Sequence, residues 1–163
     1  MIRAVICDDE DAALKIITYS IENQGIPIEI VGTASDGKEA LALIKKENPN
    51  LVFLDIEMPG MNGFDVVEKL NAVNCKVIII TAYSTFSYAQ RALRLGVSDI
   101  IEKPIDTDTL KEAIQRAIGW EFTENEALNK ALFYIHTHYW EKIELEILAE
   151  EAGCTPQSSV SFV

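Results

Sequence analysis

The chain has 163 residues, enough for one full hydrophobic core and a fragment of a second domain. A formal charge of −12 argues against a surface that grips nucleic acid without selectivity. Cys7, Cys75 and Cys154 are too few and too scattered for a disulfide framework or a zinc site, no apolar run approaches a membrane span, and no signal-peptide pattern opens the chain; a soluble cytoplasmic protein is expected.

In chain order, Ile2 to Cys7 is mostly apolar and reads as a strand buried on both faces, running into three carboxylates, Asp8, Asp9 and Glu10. Asp11 to Gln24 reads as a helix with Leu14, Ile17 and Ile21 on one face, broken by Gly25 and Pro27. Ile28 to Ala34 is a second strand. Asp36 caps a helix from Lys38 to Asn48, with Ala40, Leu41 and Ile44 inward. Leu51 to Leu54 is a third buried strand with Asp55 at its carboxyl end. Pro59, Gly60, Asn62 and Gly63 force a turn there, and Phe64, Val67 and Leu70 mark the next helix. Lys76 to Ile80 is a fourth strand ending at Thr81, followed by a helix from about Thr85 to Leu95 closed by Gly96. Asp99 to Glu102 is a fifth strand ending at Lys103-Pro104. Asp106 caps a last helix with Leu110, Ile114, Ala117 and Ile118 buried.

Five β-α units in about 120 residues predict an α/β fold: a doubly wound, five-stranded parallel sheet, (βα)5 and flavodoxin-like. Asp8, Asp9, Asp55, Thr81 and Lys103 all fall at carboxyl ends of strands, where such a sheet gathers its ligand site. Clustered carboxylates repel and raise one another's pKa values. A hard divalent cation relieves that repulsion, and an oxygen donor set suits Mg2+. A lysine opposite them supplies a fixed positive charge for phosphoryl transfer. The Thr81 hydroxyl is a donor able to follow the transferred group.

With these residues in view, positions 1–120 resemble the receiver domain of bacterial two-component response regulators. The shared marks are Asp8-Asp9, Asp55 with Met58-Pro59 and Gly63, Thr81-Ala82, and Lys103-Pro104. The resemblance implies a phosphorelay protein rather than an enzyme, with Asp55 accepting a phosphoryl group from a sensor histidine kinase. It implies that Asp9, Asp55 and the backbone carbonyl of Glu57 ligate Mg2+ directly and that Asp8 acts through water. Lys103 is then expected to contact the phosphoryl oxygens, Thr81 to bond one of them after transfer, and the Lys103-Pro104 bond to be cis. One position departs from the pattern. Family members often carry Tyr or Phe three residues before the lysine as a rotating switch, and here that residue is Ile100. The signal is then expected to pass through backbone and Thr81 movement, or through another aromatic such as Tyr83 or Phe86. Glu57 and Tyr83 stand where the family tunes phosphoryl lifetime.

Residues 121–163 read as a separate all-α module. Leu128, Ala131, Leu132, Ile135 and Tyr139 form one helical stripe, and Ile143, Leu145, Leu148, Ala149 and Ala152 a second, closed by Gly153. Thr155-Pro156 suits the start of a third helix. The run resembles the beginning of an AraC-type helix-turn-helix domain, cut inside that domain. Eight glutamates against two lysines give this segment a net −6, the wrong sign for phosphate contacts. DNA binding is therefore expected only of a full-length parent. The apolar stripes predict self-association into a homodimer, with the receiver face of its fourth helix, fifth strand and fifth helix as a competing contact.

Two rival functions have discriminating marks. A Mg2+-dependent phosphatase with an aspartyl-phosphate intermediate needs a second aspartate two residues after the nucleophile, and Asp55-Ile56-Glu57 offers a glutamate. A flavodoxin-like nucleotide binder needs a phosphate-accepting loop where Asp8-Asp9-Glu10 repels phosphate. His136 and His138, two apart on a helix, do not share a face and read as structural. Trp120 and Trp140 read as packing residues at the domain junction, and Cys7 as a buried strand residue.

Overall fold

A computed structural model describes residues 1–70, 73–119, 125–138 and 142–153. The chain alternates β1 (Ile2–Cys7), α1 (Asp11–Asn23), β2 (Ile28–Ala34), α2 (Gly37–Glu47), β3 (Leu51–Leu54), α3 (Gly63–Lys69), β4 (Lys76–Thr81), α4 (Phe86–Arg94), β5 (Asp99–Glu102) and α5 (Thr107–Ile118). The strands form one parallel sheet in the order β2-β1-β3-β4-β5, the doubly wound arrangement expected from the sequence. The chain leaves β1 for β2 on one side and reaches β3 on the other. The crevice between the carboxyl ends of β1 and β3 is therefore the switch point of the sheet.

Why the central strands are apolar throughout follows from the two layers. On one face Ile2, Ala4 and Ile6 of β1, Phe53 of β3 and Ile78 and Ile80 of β4 meet Ile17 of α1 and Leu110 and Ile114 of α5. On the other, Val5 and Cys7, Val52 and Leu54, and Val77 and Ile79 meet Ala40 and Ile44 of α2, Phe64 and Val67 of α3 and Ala92 of α4. Period-two alternation sends successive residues to opposite layers, so both must be apolar. Each large side chain buried this way contributes about 1.5–3 kcal/mol before the cost of ordering it. β2 lies at an edge, and its Glu29 and Thr33 are exposed.

The expected helix starts hold. Asp36 accepts from the amides of Lys38 and Glu39, and Asp106 accepts from that of Thr109. One boundary differs: α3 begins at Gly63, inside the stretch expected to be turn. Asn62 caps it by accepting from Phe64 N, so the turn doubles as a helix start. The Lys103-Pro104 bond is cis, as expected.

In the tail, α6 (Glu126–His138) and α7 (Leu145–Glu151) pack against each other, with Asn129, Ala149 and Ala152 buried. Leu145, expected in the second apolar stripe, is instead exposed, as is Ile135. His138 stacks on Tyr134 and its Nδ1 lies 3.0 Å from the Tyr134 carbonyl, in line with a structural role. Trp120, Tyr139, Trp140, Cys154 and the helix expected after Thr155-Pro156 lie outside the described residues, as does the side chain of His136. Among the described residues, no helix is long and apolar enough to cross a membrane.

Candidate functional site

Ladder hydrogen bonds continue one residue past each strand end and fix the backbone of the site. Asp8 N donates to Ala34 O (3.0 Å), Asp55 N to Cys7 O (2.8 Å) and Lys103 N to Thr81 O (2.8 Å). Asp8, Asp55 and Thr81 are all buried, whereas Asp9 and Glu10 are exposed at the rim. Each of Asp8, Asp9, Glu10 and Asp55 offers a carboxylate oxygen within 4.8 Å of the others.

Lys103 is the counter-charge. Its Nζ lies 2.9 Å from Asp8 Oδ2, 3.0 Å from Glu10 Oε1 and 3.4 Å from Asp55 Oδ2. The approach to Asp8 Oδ2 is close but off the hydrogen-bonding direction, so this buried oxygen has an ionic neighbour and no hydrogen-bond donor. Burial pulls the Lys103 pKa down. Its contacts with Asp8 and Glu10 and the charge of Asp55 outweigh that and hold the ammonium above its ordinary value. For Asp55 the balance runs the other way. Burial pushes its carboxyl above the usual 3.8 and Asp8 adds to the rise, with Lys103 and the Glu57 amide offsetting only part. The Glu57 amide donates to Asp55 Oδ1 at 3.3 Å, which orients that carboxylate. Thr81 Oγ1 accepts from Tyr83 N at 3.2 Å.

The backbone around Asp55 admits no side chain at position 63. A Cβ there would overlap the Asp55 carbonyl oxygen and reach Ile56 Cα at 2.9 Å, while Gly63 N donates to Ile56 O at 2.8 Å. The start of α3 thus lies directly against the Asp55–Ile56 backbone. Cys7, on the opposite layer from Ile6, is inert: burial, Glu39 and Asp8 push its thiol up to about 12.

The residues expected to act together, Asp8, Asp55 and Lys103, are in contact, Asp9 stands beside them, and Thr81 ends β4, the strand between those that lead to Asp55 and Lys103. Tyr83 and Phe86, suggested as substitutes for a switch aromatic, are 59% and 79% exposed. Sequence reasoning gave Glu10 no role of its own. Its amide is held by Asp8 Oδ1 (2.9 Å) and its carboxylate reaches Lys103, for which the only signal was its place third in an acidic run. An all-oxygen donor set, with one buried oxygen lacking a donor, fits a hard divalent cation such as Mg2+.

Residues 4–115 match the response regulator receiver domain family. The chain belongs to that family. An uncharacterized response regulatory protein of Staphylococcus epidermidis is 35% identical to this receiver protein over 114 residues, 70% of the chain and 45% of the relative. The transcriptional regulatory protein HptR of Staphylococcus aureus is 30% identical over 146 residues, 90% of the chain and 58% of the relative. This receiver protein thus spans about half the length of the curated relatives it matches. Among solved structures, a DNA-binding response regulator of the LuxR family from Staphylococcus aureus superposes with a TM-score of 0.67 at 31% identity, covering 72% of this chain and 98% of that one. Of these, HptR is named a transcriptional regulatory protein and the LuxR-family structure a DNA-binding response regulator, and the site just described lies within the matched receiver segment.

Proposed function

We propose that this receiver protein takes a phosphoryl group onto Asp55 from a sensor histidine kinase and so switches a transcriptional output. The observation that carries the reading is the placement of Asp55. It is a buried strand-end carboxylate, 3.4 Å from a lysine held charged and ringed by three further carboxylates. In the transfer, an Asp55 oxygen attacks phosphorus and the phosphorus–nitrogen bond of the donor breaks. The histidine nitrogen leaves with the electron pair and takes up a proton. Lys103 pairs with a phosphoryl oxygen as charge shifts toward the leaving side. Thr81, at the end of β4, can donate its hydroxyl proton to a phosphoryl oxygen while still accepting from Tyr83 N.

Asp9, Asp55 and the Glu57 carbonyl would hold Mg2+, with Asp8 acting through water. When bound, the ion neutralises the carboxylate cluster and the phosphoryl oxygens. The donor has a surface to meet: a groove of about 410 Å3 at Glu10 and Lys103, lined also by Ala12, Ala13 and Ile16 of α1 and by Pro104 and Ile105. Residues 121–163 form the beginning of an AraC-type output module in this reading, and the protein works in the cytoplasm. The test is intact-mass measurement after incubation with an acyl phosphate and Mg2+. One added phosphate, absent in Asp55→Asn and without metal, is expected; equal labelling of Asp55→Asn would sink the assignment.

A further inference from the structure

We propose that Tyr88 and Arg91 of α4, clamped on Phe64 of α3, are positioning residues that couple the Asp55 loop to α4 in place of an aromatic residue at position 100. The inference rests on the phosphoacceptor reading of Asp55.

Four observations lead to it. Ile100 on β5 is half-buried against the same core layer as Phe64 and Tyr88, so this layer carries its aromatics on α3 and α4 and none on β5. Phe64 is fully buried and directly follows Gly63, whose amide bonds to Ile56 O and whose backbone lies so close to the Asp55 carbonyl that a Cβ would not fit. Phe64 is therefore tied to the Asp55–Ile56 backbone through one residue. Next, Phe64 is held from α4 on two sides. The Tyr88 ring meets it edge-on, with centroids 5.4 Å apart and planes at 77°, and the Arg91 guanidinium lies 4.8 Å over its centroid. Arg91 also reaches Asp65 (3.2 Å) and Glu68 (2.8 Å) on α3, so one side chain ties the two helices twice.

The fourth observation is how little else anchors α4. Ala92 is its one fully buried residue, and Phe86 and Leu93 are each 79% exposed. An element with so few buried contacts sits at the low end of local stability, where a small bias moves it. Ahead of the helix, Tyr83 N donates to Thr81 Oγ1, which ties the β4–α4 connection to the end of β4, the strand beside β3. α4 is therefore held from α3 through Phe64 and, by way of the loop before it, from β4. Linkage makes such coupling reciprocal.

The test is amide hydrogen exchange over residues 86–94 of the full chain, with and without acyl phosphate and Mg2+, alongside intact mass. Phosphorylation should change α4 exchange several-fold in wild type and in Ile100→Ala. In Tyr88→Leu and in Arg91→Gln, one phosphate should still be added but the change at α4 should fall by at least half, and Tyr88→Phe should restore it. A merely structural role would raise exchange in both states and leave their difference intact; that result overturns the proposal, as does loss of the difference in Ile100→Ala. Arg91 is largely at the surface, so its variant reports even if Tyr88→Leu unfolds. If wild type takes up no phosphate, the Asp55 reading fails and this inference with it. If it takes up phosphate and α4 does not respond, this inference alone fails.

Discussion

Replacing Asp55 by Asn should abolish phosphate uptake and at the same time stabilise the metal-free fold. Lys103 lies 3.4 Å from Asp55 Oδ2, an attraction of about 5 kcal/mol at an effective dielectric of ~20. Asp8, whose oxygen is within 4.8 Å, contributes a repulsion of no less than about 3.5 kcal/mol on the same scale. The two nearly cancel. Burial of the charge, the largest influence, then tips the balance against ionised Asp55, in line with its raised pKa. Asparagine keeps an acceptor for the Glu57 amide, and Lys103 keeps Asp8 and Glu10. A gain of about 1–2 kcal/mol at neutral pH is expected, within the range of single stabilising changes. Urea unfolding with a chelator, then with saturating Mg2+, measures it. Mg2+ at a hundredfold its Kd should stabilise wild type by about 2.7 kcal/mol and the variant by much less. An Asn variant less stable than wild type in chelator, or an equal response of the two to Mg2+, refutes the electrostatic reasoning.

The same carboxylate sets a pH dependence. An acid whose folded pKa is raised binds its proton more tightly in the fold, so metal-free stability should be highest below 3.8 as far as Asp55 is concerned and fall as pH rises through the raised value; Asp55→Asn should flatten that decline in urea midpoints. Gly63→Ala should cost about 1–3 kcal/mol and slow phosphate uptake, because the methyl meets backbone of the acceptor loop; thermal unfolding and intact mass check both. Mg2+ titration should show a larger loss of affinity for Asp9→Asn than for Asp8→Asn, since Asp8 is already engaged by Lys103 and Asp9 is free at the rim. Light scattering should give a larger mass per receiver for the full chain than for a chain ending at Ile118, with no DNA retained in a low-salt mobility assay; equal association states would remove the tail as the contact.

The parts of this protein legible in its sequence are those where one local signal suffices. Strands β1, β3 and β4 are covered on both faces, so they appear as largely apolar runs, and the polar residues at their ends, Asp8, Asp55 and Thr81, mark the site. Asp36 and Asp106 sit at helix starts for a reason visible locally, an unpaired amide to accept from. Less legible were features that depend on which surface a residue meets. The Glu10–Lys103 pair spans 93 residues, and nothing near either end announces it. The start of α3 hid inside a turn signal because Asn62 serves as turn residue and cap alike. Tyr83 and Phe86 stood closest to Thr81 in sequence, yet helical phase decided the matter. Tyr88, Ala92 and Leu95 fall on the inward stripe, and Phe86 and Leu93 on the outward one.

Stability and function pull in opposite directions at one point in this fold. Four carboxylates facing one lysine would be a poor choice for a structural cluster, and apolar residues of similar volume would pack there at lower cost. The sheet can carry that cost because Cys7, Leu54 and Ile80, the strand residues just before Asp8, Asp55 and Thr81, are themselves fully buried and hold the backbone of each strand end in its ladder. The rigid part of the molecule therefore fixes the charges, while α4 is fastened by a few contacts at its flank and by the Tyr83–Thr81 bond in the loop before it. In the proposed reading, a phosphoryl group arriving at Asp55 changes the charge at the rigid end. Its consequence is then expected at the loosely held end, which is the division of labour a switch requires.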